Sequence, residues 1–175
     1  MYLNSIPNAL DELSSTTGGA YGCALGDLFC LGSNHDASEG GPKVYRWVEN
    51  SSGASWPIGS IIVQNDASGA AKGLLAVGNV LYPGTRVLGV VTAQSAAWAT
   101  GNRGWLQCYG PCTIQKGASN IVIGGAIVTE DTATPANDGQ MQTMAGTEEH
   151  GVFGYALAAS TAAAGTLVAA FLKCI

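Results

Sequence analysis

The sequence predicts an all-β fold, a small β-barrel or sandwich of short antiparallel strands with an extended N-terminal arm. Three observations lead there. Apolar runs are short and are separated by turn signals roughly every 8 to 15 residues, the rhythm of sandwiches and barrels. The clearest run, Lys43-Val-Tyr-Arg-Trp-Val-Glu49, alternates with the period of a strand. The 175 residues are 47% hydrophobic and only 11% charged, which excludes a disordered chain. A chain of this length buries enough surface to fold without a metal or disulfide staple.

Residues 1–41 lack a sustained period and read as an N-terminal arm. Ser, Thr, Gly and Asn dominate it, and Asn8-Ala-Leu-Asp-Glu-Leu13 has room for a helical turn or two. Apolar islands at Tyr2-Leu3, Tyr21 and Leu28-Phe29 mark it as a loop-rich element that docks on a larger assembly or on a neighbouring subunit. Tyr21, Leu28 and Phe29 are the anchors. Gly40-Gly41-Pro42 is the boundary, and residues 42–175 form the barrel domain.

Within that domain Lys43–Glu49 opens the strand series, with Tyr45 and Trp47 on one face. Asn50-Ser-Ser-Gly53 is a turn. Ile61-Ile-Val63 is a short apolar strand bounded by Gly59 and Asn65-Asp-Ala-Ser-Gly69. Further strands are expected at Leu74–Val77, Val87–Ala93, Gly104–Tyr109, Gly125–Thr129, Gln140–Thr143, Val152–Leu157 and Thr166–Lys173. Ala158–Ala164 is Ala-rich and ends at Gly165, which suits a short turn or helix. Two units resemble one another. Val87–Ala93 followed by Gly104–Tyr109 lies over Val152–Ala158 followed by Val168–Ile175, and Cys108 then matches Cys174. Two hairpin-like units closing one barrel are the structural reading, with a long-tipped hairpin, Ile121–Thr129 to Gln140–Met144, between them.

The chemistry-bearing residues are few. Lys and Arg total 7 against 12 Asp and Glu, a formal charge of −5, and no basic face for nucleic acid emerges. No apolar run is long enough for a membrane-spanning helix, and the opening Met1–Ser15 has early acids without the basic stretch of a secretory leader. Walker, GxGxxG and GxSxG signatures are missing. The near-neutral bases are His35, in an arm loop, and His150, beside Glu148-Glu149; consecutive residues seldom converge on one ion, so a surface turn is expected. Asp36, Glu39, Glu130 and Asp131 read as solvated loop carboxylates. The five cysteines, Cys23, Cys30, Cys108, Cys112 and Cys174, are odd in number and scattered, which predicts reduced packing residues. No cofactor, metal or catalytic residue is expected. The four tryptophans, Trp47, Trp56, Trp98 and Trp105, suit core packing or a subunit interface.

Gly89-Val-Val-Thr-Ala93, Gly101-Asn-Arg-Gly-Trp-Leu-Gln-Cys-Tyr-Gly-Pro111, Lys43–Asn50 with Gly59–Val63, and the ending Gly151–Ala158 with Gly165–Leu172 together resemble the head decoration (cement) proteins of tailed bacteriophages. The resemblance runs from Pro42 onward. It implies a non-enzymatic structural protein made in the host cytoplasm. It would sit on the outer surface of the capsid in the virion and fasten major capsid subunits together, most readily as a homotrimer. Trp98 and Trp105 join Tyr21, Leu28 and Phe29 as expected interface residues, and neither nucleic acid nor membrane is an expected partner. The alternative is a carbohydrate- or receptor-binding head or fibre module, with surface Trp98 and Trp105 and the polar loop 130–138 as its site. An enzyme is the remaining class, disfavoured by the lack of general acid–base partners.

Overall fold

The computed structural model describes residues 25–31, 41–64, 75–77, 86–92, 97–130, 139–144 and 151–174. They form ten strands: β1 (Leu28–Leu31), β2 (Lys43–Glu49), β3 (Ile61–Gln64), β4 (Leu75–Val77), β5 (Arg86–Val90), β6 (Arg103–Gln115), β7 (Ala126–Thr129), β8 (Met141–Thr143), β9 (Gly154–Ala156) and β10 (Leu167–Lys173). Among the described residues there is no helix, and Ala158–Ala164 is built of bends and a turn. The strands join one sheet, β4-β3-β5-β6-β10-β9-β7-β8, with β2 also paired to β6 and β1 to β2. Every ladder is antiparallel.

β6 is the spine. Its first half pairs with β2, from Glu49↔Arg103 to Val44↔Tyr109. Its second half pairs with β10, from Lys173↔Tyr109 to Leu167↔Gln115. The exchange of partners happens at Gly110-Pro111, which reads as a strand end in the sequence. Gly110 takes φ +95°, and a Cβ there would collide with the Pro42 carbonyl oxygen, so only glycine lets the start of β2 cross at this point. Pro111 has no N–H to donate, yet the strand continues through it, opposite Phe171.

The sheet curls without closing as a barrel. An isolated parallel bridge, Lys116↔Met141, brings the β8 end of the path against the residue after β6. There Gly117 N–H donates to Met141 O at 2.8 Å. No ladder joins β4 to β8, the two ends of the path. The matched units of the sequence, β5 with β6 and β9 with β10, are each antiparallel neighbours. The central hairpin is β7 with β8, in register Ile127↔Thr143.

The curled sheet buries three apolar clusters between many short strands. Ile61 and Val63 of β3 join Ile114, Ile127, Met141, Phe153, Val168 and Leu172 in the main core cluster. Ile62, pointing the other way, joins Val48, Trp56, Leu88, Val91, Trp98 and Leu106 in a second. β3 is therefore buried on both faces, which is why Ile61-Ile-Val63 shows no polar alternation. Each such aliphatic side chain contributes about 1.5–3 kcal/mol by leaving water. A third cluster holds Phe29, Tyr45, Trp47 and Trp105 on β1, β2 and β6. Asn50 ties the second cluster to its loops. It is fully buried, its Nδ2 donates to Ala54 O and Trp98 O, and its Oδ1 accepts from Ser52 N–H. Lys116 is also fully buried, and its ammonium donates to Gly117 O and Ala162 O at 2.7 Å each, pinning the 158–165 turn to β6.

Candidate functional site

The expected interface residues are placed as follows. Tyr21 lies outside the described residues, as do Cys23, His35, Asp36, Glu39, Asp131, Glu148, Glu149 and His150. Leu28 is exposed on β1, beside an equally exposed Leu25. Phe29 is buried. It packs on Trp105 with ring centroids 5.7 Å apart, and Trp105 in turn meets Trp47 edge-on at 5.1 Å. The described part of the arm therefore docks on its own chain: Leu28–Leu31 adds an edge strand to β2, in register Leu28↔Arg46 to Leu31↔Lys43. Trp98 has no exposed surface. It stacks on Trp56 at 5.6 Å, and the two residues exchange both backbone hydrogen bonds at 2.9 Å. Trp98 and Trp105 are thus core residues, not surface platforms, because the low-charge sheet buries its largest apolar rings first.

Glu130 also departs from expectation. It is buried, with Oε1 accepting from Ala118 N–H at 2.8 Å, so it is not a solvated loop carboxylate and offers nothing to a sugar. Cys108, Cys112 and Cys174 behave as expected of packing residues, whereas Cys30, on the edge strand β1, is exposed against that expectation. Burial pushes Cys108 and Cys112 up, and pushes Cys174 up to about 12, with the neighbouring thiols adding to the effect. Such groups carry little thiolate at neutral pH. Among the described residues no group of three or more His, Cys, Asp or Glu is arranged to hold a metal.

What the fold does expose is one outer sheet face. β10 alternates strictly, with Val168, Ala170 and Leu172 buried and Leu167, Ala169, Phe171 and Lys173 turned outward. β9 does the same around an exposed Tyr155. Register fixes the neighbours: Phe171 lies between Tyr155 and Pro111, and Leu157 N–H donates to Ala169 O at 2.9 Å. Aromatic rings bridge the three strands. Tyr109 meets Phe171 edge-on at 5.2 Å, and Phe171 stacks on Tyr155 at 5.1 Å with planes 8° apart. The Val122–Gly125 turn extends the face, since Gly124 N–H donates to Ala156 O at 2.8 Å. Val122 and Ile123 on that turn are 58% and 65% exposed.

Residues 109–115, 122–126, 154–157 and 167–172 of this face include no Asp, Glu, Lys or Arg, and Lys173 at the end of β10 is its one charged residue. Single exposed apolar residues are ordinary; Val122, Ile123, Tyr155, Leu157 and Leu167 exposed on adjoining strands and turns are a patch of the kind that meets another protein. The signal was present in the sequence. Gly154-Tyr-Ala-Leu157 and Leu167-Val-Ala-Ala-Phe171 are apolar at both the inward and the outward positions of their strands. No family model matches the chain, and no curated protein matches it.

Proposed function

We propose that the protein works by binding, as a capsid decoration protein that attaches to the outside of a phage head and fastens major capsid subunits together. The observation that carries this reading is the outer face of β6, β10 and β9 with its flanking turn, where Val122, Ile123, Tyr155, Leu157 and Leu167 are exposed and Lys173, at the end of β10, is the one charged side chain turned outward. The likeness of residues 42–175 to head decoration proteins supplies the partner. A protein that bridges neighbouring capsid subunits stabilises the closed lattice by its own binding energy. Assembly as a homotrimer makes weak single contacts collectively tight through effective concentration. Flat contacts suit a surface of Ala, Gly and aromatic rings, where backbones approach closely. The glycan-binding alternative has lost its proposed platform, because Trp98 and Trp105 are buried. Among the described residues no helix is long and apolar enough to cross a membrane. Co-sedimentation tests the reading: the purified protein travels with DNA-filled heads of its phage and not with empty procapsids. Failure to travel with filled heads contradicts it.

A further inference from the structure

The chain is acidic overall, yet its cations are not evenly spread. Arg46 of β2, Arg86 of β5 and Lys173 of β10, three of the chain's 7 basic residues, line one open cleft of about 320 Å³. Val87, Gly151, Val152, Phe153 and Cys174 also line it, and no acidic side chain does among the described residues. None of the three cations is in an ion pair among the described residues, whereas Arg103 pairs with Glu49 through both Nε and Nη2. Arg46 Nε is buried with no acceptor. Like charges gathered without counter-charge repel, and burying a guanidinium nitrogen without an acceptor is costly, so the arrangement is stable in proportion to the anion it attracts.

We propose that this cleft is a binding site for a phosphate-class dianion. Guanidinium groups match phosphate oxygens in pairs, and a doubly charged ligand offsets more of the cationic cluster than a single carboxylate does. Cys174 does not compete for the cations, because its buried thiol stays protonated at neutral pH. Val87, Val152 and Phe153 give the cleft an apolar wall, so an organic phosphate ester has a place for its carbon portion as well. The volume falls at the lower end of small-ligand pockets, which run roughly from 300 to 1,000 Å³. The site meets the proposed capsid-binding face only at Lys173, and Arg86→Gln tests it without touching that face.

Calorimetric titration of the full chain at physiological salt tests the proposal, with inorganic phosphate, phenyl phosphate, acetate and benzoate as probes. The expected result is saturable binding of one phosphate-bearing probe per chain, with acetate and benzoate at least about tenfold weaker. Phenyl phosphate binding more tightly than inorganic phosphate assigns an ester to the cleft; equal affinity assigns the free ion. Arg86 and Lys173 are exposed, so Arg86→Gln and Lys173→Gln keep the unliganded thermal midpoint while weakening phosphate binding about tenfold or more. Titration heats no different from those of matched sodium chloride overturn the proposal. So does unchanged phosphate affinity in both variants.

Discussion

Glu130 lies with its carboxylate against Gly117, where any Cβ would overlap Oε2. The sequence carries no sign of this contact, because the partners are a missing side chain and the Ala118 backbone N–H. Gly117→Ala is expected to lower stability by about 1–3 kcal/mol through overpacking, read as a lower urea midpoint at unchanged m-value. Cys108, Cys112 and Cys174, by contrast, were legible, since cysteines amid apolar neighbours and without ligand spacing are packing residues; Cys30 was not, because the edge strand β1 leaves it exposed. Cys174 also sets a pH dependence. Its folded-state pKa is raised from 9.0 to about 12, so the unfolded chain ionises there before the folded one does. Its contribution is fully present below about pH 9 and is lost as pH rises toward 12. Replacing Cys174 by Ala should therefore shrink the fall in stability between pH 8 and pH 10.5, measured against wild type by urea unfolding.

At the scale of elements, strands with clean alternation or a short apolar run were readable nearly to the residue: Lys43–Glu49 is the whole of β2, and Ile61–Val63 lacks only Gln64 of β3. Two elements were not. β6 continues for 13 residues through Gly110-Pro111, because tertiary crossing by Pro42 turns an apparent terminator into a bend. β1 lies in a segment without periodicity and is a strand because β2 offers it an edge. Phe29, expected to anchor the arm on the capsid or a neighbouring subunit, docks instead on Trp47 and Trp105 of the same chain, beyond the reach of a local pattern. Phe29→Ala is expected to cost about 3 kcal/mol. It should also shift tryptophan emission to the red, as Trp47 and Trp105 gain water. Unshifted emission contradicts the packing role of β1.

For the molecule as a whole, composition was the most informative feature. A chain with 11% charged residues has little polar material with which to cover a curled sheet, and the β6–β10–β9 face, with Lys173 as its one charge, is where that shortage becomes visible. Which of the apolar residues are core and which are surface was not legible, since that depends on how the sheet curls; Trp98, expected at an interface, is buried, and Tyr155 is exposed. A protein with such a face should self-associate, and light scattering at micromolar concentration is expected to give the mass of a trimer. The most direct test of the proposed capsid-binding face is co-sedimentation of Leu157→Asp with filled heads beside wild type. Leu157 is exposed, so the variant should keep its fold and thermal midpoint while head binding falls at least about tenfold, a charge having been placed in a dry contact. Undiminished binding by a folded Leu157→Asp protein, with the same result for Tyr155→Asp, would contradict the assignment of this face.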